Sequence, residues 1–173
     1  MNMNNKRLHR CCFTGHRPEK LIDTEKDISK VEAKIKALLY PAIKKSIQEG
    51  YITFLSGMAR GFDLWAADIV LEERRKRPEI HLICVLPVKN FEAKWSFEEQ
   101  KHYNDILNKA DYVKLVSTEY HSTCFQVRNK YMVNNSARVI AAYNGTYGGT
   151  RNTLNYARSQ NVQIINLLES EIL

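Results

Sequence analysis

A chain of 173 residues with 44% hydrophobic and 26% charged side chains has the length of one domain and the balance of an ordinary globular protein. Its 26 Lys and Arg against 19 Asp and Glu leave a net charge of +7, which directs attention to anions such as nucleotides, nucleic acid or an anionic surface. No apolar run approaches the ~20 residues of a membrane span, and the opening MNMNNKRLHRCCF lacks the apolar stretch of a secretory signal.

In chain order, LHRCCFTG at 8–15 reads as a first strand ending in a turn. Ile28, Val31, Ile35, Leu38, Leu39, Ala42 and Ile47 recur at three- and four-residue spacing, one face of a long helix. Pro41 is expected to kink or restart that helix, and Gly50 to stop it. YITFLSG at 51–57 is a second strand, 62–76 a helix, and HLICVLPV at 81–88 a third strand, apolar throughout as a doubly covered strand should be. A polar helix is expected from about 91 to 110, carrying Trp95 and Tyr103. DYVKLVS at 111–117, a helix over 122–135, ARVIAAY at 137–143, a Gly-rich turn, a helix over 151–160 and VQIINLL at 162–168 complete the alternation. Such an alternation, without hairpin signals or a linker, predicts one α/β domain over 1–173. Its architecture is a Rossmann-like three-layer α/β/α sandwich with a mainly parallel sheet.

Cys11, Cys12, Cys84 and Cys124 show no CxxC or metal spacing, and the first three fall in strand-like runs. Buried reduced thiols in a cytoplasmic protein are the economical expectation. Arg74, Arg75, Lys76 and Arg77 end a helix, where cations favour the dipole, so that cluster reads as a solvated face.

In a parallel sheet of this kind ligands bind beyond the carboxyl ends of the strands. Four unusual stretches fall there: Thr14-Gly15-His16-Arg17-Pro18, Ser56-Gly57 through Gly61, Asp63 and Trp65, Tyr120 through Arg128, and Asn144 through Gly148-Gly149-Thr150. Glycines before a helix let backbone N–H groups approach an anion, and the helix dipole favours negative charge. Two such openings point to a phosphate-bearing ligand, with charge from Arg17 and Arg128. Each residue also has a bland reading: turn geometry for the glycines, a helix-start carboxylate for Asp63, core packing rather than base stacking for Trp65. His81, His102 and His121 have no partner at metal spacing, and Ser56, His16 and Asp63 are not read as a triad. No metal and no tightly held cofactor is expected beyond a bound nucleotide.

SGMARGFDLWAADIV at 56–70 resembles the SG-x-A-x-G-[IF]-D stretch of the DprA/Smf proteins, which protect incoming DNA. Arg128 through Thr150 is similar to the LOG phosphoribohydrolases, with Arg128 and Met132 on the helix and Gly145 and Gly149-Thr150 in the turn. Taken with TGHRP and RN-x-YMV, the set looks most like the YpsA branch of the SLOG superfamily, over about residues 8–168. The resemblance implies a Rossmann-like binder of a nucleotide or nucleotide-derived ligand. It also implies a homo-oligomer with a sensor or regulatory role, cell division being one setting known for such proteins.

One departure bears on chemistry. The glutamate that completes the LOG turn falls at Thr153, and no Asp or Glu lies between Glu119 and Glu169. A threonine cannot serve as an acid–base carboxylate, so Asp63 is the one candidate for the alternative reading, an N-glycosidic or phosphoribosyl hydrolase. A DprA-like single-strand DNA binder is the other alternative. It is weakened because the basic residues do not interleave with aromatics in one stretch.

Overall fold

The computed structural model describes residues 7–21 and 27–168; the first polar residues, Lys6 among them, lie outside that range. Strands β1 (Arg10–Gly15), β2 (Thr53–Ser56), β3 (His81–Leu86), β4 (Tyr112–Leu115), β5 (Arg138–Ala142) and β6 (Gln163–Asn166) form one sheet. All of its pairings are parallel, in the order β4-β3-β2-β1-β5-β6. The helices are α1 (Pro18–Leu21), α2 (Ile28–Gln48), α3 (Phe62–Lys76), α4 (Phe97–Lys109), α5 (Cys124–Asn134) and α6 (Gly149–Ser159). The Rossmann-like α/β expectation holds.

Alternation along the strands sorts the core into two layers. Cys11 and Phe13 of β1 and Phe54 of β2 pack with α2, α3 and α4. Cys12, Leu55 and Val139 face the other way, onto Met132 and Val133 of α5 and Leu154 and Ala157 of α6. All four cysteines are buried and free. At the helix end rich in cations, Arg74 pairs with Asp111 at 2.6 Å and Lys76 lies near Glu72 and Glu73.

Two helix expectations need correction. α2 runs unbroken through Pro41. The proline sits on the exposed side, while Leu39, Ile43 and Ile47 hold the opposite face against the sheet. Burial of that stripe outweighs one missing backbone bond. The polar helix starts at Phe97 rather than near 91, because Ser96 and Glu99 form a reciprocal capping box, a start signal of its own. Residues 90–95 are turns instead, with Trp95 N–H donating to the Glu92 carbonyl at 2.9 Å. The four-residue α1 was not expected.

The chain steps outward from β1 to β4, then returns to the far side of β1 to lay down β5. That reversal opens a crevice at the carboxyl ends of β1 and β5.

Candidate functional site

The crevice is a cleft of about 560 Å³, within the range of small-molecule sites. Its wall gathers Thr14, Gly15, His16, Arg17, Asp63, Arg128, Gly148, Gly149 and Thr150, nine of the residues expected from the sequence and drawn from four separate loops and helices.

The loop after β1 is tied to the loop after β5. The His16 N–H donates to the Ala142 carbonyl at 3.1 Å. Its Nε2 lies 3.3 Å from Thr146 Oγ1, and its ring tilts against Tyr143. His16 is 3% exposed; burial, with Lys20 nearby, pushes its pKa below the ordinary histidine value, so at neutral pH it is a neutral ring. Lys20 Nζ donates to the Tyr147 carbonyl at 2.8 Å, and Asn144 Nδ2 to the Lys20 carbonyl at 2.7 Å. Arg17 is exposed on the cleft wall, with no ion pair among the described residues.

On the floor lies a buried pair. Arg128 Nη1 is 3.5 Å from Asp63 Oδ2, with both side chains almost fully enclosed. The guanidinium also donates to the Gly57 carbonyl, and Asp63 Oδ2 accepts the Ala59 N–H at 3.2 Å. Arg128 Nε is buried without a hydrogen-bond partner. Burial pushes the Asp63 carboxyl up to about 6, against the opposing pull of Arg128 and the Ala59 N–H. The same burial lowers the Arg128 guanidinium below its ordinary value. Desolvation therefore outweighs mutual attraction at this pair.

The other expected residues support the site from behind. Ser56 Oγ donates to the Asp63 carbonyl at 2.9 Å and accepts the Met58 N–H at 3.1 Å, closing the β2–α3 turn. Gly57 is where Arg128 passes: a Cβ there would lie 1.7 Å from Nη1. Gly61 has φ +84 and would meet the Pro18 ring at 2.5 Å if it carried a Cβ, so glycine is required on both counts. Trp65 is 5% exposed in the α2–α4 core and does not line the cleft; its packing reading is the one the structure gives.

A different aromatic wall takes its place. Phe91, Trp95 and Phe125 line the cleft, with Phe91 edge-on to Trp95 at 5.5 Å and to Phe125 at 6.1 Å. Sequence reasoning placed Phe91 and Trp95 on a helix; the Ser96–Glu99 capping box was the signal that would have freed them. The start of α6 lines the same cleft. Gly148, its N-cap, has φ 150 and supplies no side-chain cap, and no acid lies in the first turn. Thr153, where LOG proteins carry glutamate, is buried. Its hydroxyl donates to the Gly149 carbonyl at 2.8 Å and accepts from Asn129 at 2.9 Å. Among the described residues no group of three potential metal ligands converges, and no described helix is long and apolar enough to cross a membrane.

A parallel sheet with a polar, aromatic-lined cleft at its topological switch point defines a Rossmann-like α/β domain. The YspA SLOG family model matches residues 11–169, and the chain belongs to that YpsA family. An uncharacterised prophage-derived protein, YoqJ, of Bacillus subtilis is 33% identical over 72% of this chain and 81% of its own. A UPF0398 protein of Brevibacillus brevis is 30% identical over 58% of this chain and 59% of its own. The fold is shared with DprA of Streptococcus pneumoniae, at 16% identity and TM-score 0.57 over 94% of this chain and 51% of that one. DprA of Helicobacter pylori, described by its single-stranded DNA binding mode, gives TM-score 0.58 at 16% identity, over 94% of this chain and 66% of that one.

Proposed function

We propose that the protein binds a nucleotide or nucleotide-derived ligand in the cleft, as a sensor or regulatory protein rather than a catalyst. The observation that carries the reading is the convergence of opposed chemistries on one 560 Å³ space. Phe91, Trp95 and Phe125, packed edge to face, line it together with the uncapped start of α6 and with Arg17, Lys20 and Arg128. A base stacks on the aromatic side. Phosphate meets the backbone N–H groups of Gly149 and Thr150, where the helix dipole favours negative charge. Asp63, on the floor, accepts a hydrogen bond from ribose. A cytoplasmic homo-oligomer is the setting proposed with this reading, on the family resemblance.

The test is a thermal-shift screen of mono-, di-, cyclic and dinucleotides, followed by calorimetry on any hit. A ligand present at a hundred times its dissociation constant should add about 2.7 kcal/mol of stability. A uniformly flat screen overturns the proposal.

Single-stranded DNA is the second reading, favoured by the likeness to a DprA described by such binding. A hydrolase is the third. It rests on Asp63, a carboxyl held near neutrality by burial at the cleft wall.

A further inference from the structure

Beside the main cleft a second cavity of about 380 Å³ opens between α5 and α6. The two share Phe125, Asn129, Gly148 and Gly149, so the glycine pair at the start of α6 is the sill between them. A Cβ placed on Gly149 would meet no atom within 4 Å, whereas one on Gly148 would lie 3.3 Å from Lys20 Nζ: the crossing is open over Gly149 and has an ammonium beside Gly148.

The two sides differ in chemistry. Cations and an aromatic wall mark the main cleft. The second cavity is lined by Gln126, Asn152, Thr153 and Tyr156, with Lys130 its one charged residue. The Lys130 ammonium lies 5.3 Å over the Tyr156 ring. Side-chain amides offer donors and acceptors together, which suits the edge of a base or the hydroxyls of a sugar, and Phe125 and Tyr156 supply ring faces. Because Thr153 replaces a carboxylate and no acid lies between Glu119 and Glu169, nothing on α5 or α6 repels phosphate at the sill. Arg128, 5% exposed and on the cleft wall, retains a buried Nε donor with no partner.

We propose that the ligand is two-headed: a nucleoside diphosphate whose far phosphate is esterified to a second, neutral sugar or nucleoside. The first nucleoside lies along the aromatic wall, and the diphosphate crosses Gly148 and Gly149 between Lys20 and the first turn of α6. The second head enters the amide-lined cavity, which a simple nucleotide leaves unfilled. This rests on the nucleotide reading above and narrows it to a substrate class.

Calorimetric titrations of matched pairs test it: ADP against ADP-glucose and diadenosine diphosphate, UDP against UDP-glucose, and GDP against GDP-mannose. At least one esterified compound should bind tenfold or more tighter than its parent diphosphate. Asn152 is exposed and lines only the second cavity, so Asn152→Trp should erase that gain and leave the parent's affinity unchanged. Asn155→Trp, three residues on and outside both cavities, should keep the gain. Parents that bind with no gain in any pair overturn the two-headed ligand alone. So does a gain that survives Asn152→Trp. If no member of any pair binds, the nucleotide reading falls and this inference with it.

Discussion

Asp63 and Arg128 resemble a stabilising salt bridge, but the physics of the pair runs the other way. Burial holds the Asp63 carboxyl at about 6 in the folded protein, above the 3.8 of a free aspartate. The folded state therefore binds more protons than the unfolded state between those values. Its contribution to stability is full below about 4, declines as pH rises towards 6, and is level above. Asp63→Asn removes the titration and keeps the shape. By denaturant unfolding it should match the wild type near pH 4 and exceed it by roughly 1–3 kcal/mol at pH 7. A loss of about 3–5 kcal/mol at pH 7, as for breaking a favourable buried pair, would show that Arg128 outweighs desolvation. Incubation of both proteins with nucleoside monophosphates separates binder from hydrolase. With Thr153 in the glutamate position, neither is expected to release base. At the rim, Arg17 is exposed and has no ion pair among the described residues, so Arg17→Ala should melt within about a degree of the wild type. Its loss should appear in the ligand affinity measured by calorimetry, at about 1.5–3 kcal/mol for a charged hydrogen bond.

The elements that carry these residues owe their limits to local chemistry of unequal strength. In α2 the apolar stripe prevails over proline. Pro41 lies in the helix interior and on its exposed side, and it cannot donate the bond that Ala37 would accept. Pro41→Ala restores that donor without opening a cavity. It should raise the unfolding free energy by about 1–3 kcal/mol, and an unchanged or lowered value would mean that Pro41 makes a packing contribution of its own. In α4 a local signal wins instead. The Ser96 hydroxyl accepts the Glu99 N–H at 3.2 Å, and Glu99 accepts the Ser96 N–H at 3.0 Å, starting the helix there and leaving Phe91 and Trp95 on turns that reach the cleft. α3 and α6 begin without side-chain caps. Ahead of α3, Asp63 accepts the Ala59 N–H at 3.2 Å.

Across the whole molecule the chain carries a net charge of +7. Arg60 is paired with Glu19 and Glu99, Arg74 with Asp111 and Arg138 with Glu49, while Arg17, Lys20, Arg60 and Arg128 line the cleft. A nucleotide held there should show a shallow dependence of affinity on salt. A strand of DNA laid across the surface should lose affinity steeply, with log K falling about 0.7 per phosphate neutralised for each tenfold rise in salt. Titrations of a nucleotide hit and of a labelled oligonucleotide at low and near-physiological salt are expected to give the nucleotide a slope shallower than about −2. Sub-micromolar binding of single strands at physiological salt would favour the DNA reading instead.

Much of this molecule is legible in its amino-acid sequence alone. Apolar runs alternating with helical periods define β1 to β6 and the long helices, because period 2 and period 3.6 are properties of the chain itself. Glycines after β1, β2 and β5, with Arg17, Asp63 and Arg128 close by, mark the loops of the site, because a parallel sheet places its ligand beyond the carboxyl ends of the strands. What the sequence could not decide is which ring faces the ligand. Trp65 and Trp95 are equally aromatic in a string of letters. The long buried face of α3 draws Trp65 into the core, and the Ser96–Glu99 capping box releases Trp95 to the cleft. Nor does local pattern say that Arg128, far along the chain from Asp63, will be buried 3.5 Å from it. That depends on strand order, which places α5 against the β2–α3 turn. Only the assembled sheet sets the distance and the burial that turn two ordinary charges into a desolvated pair.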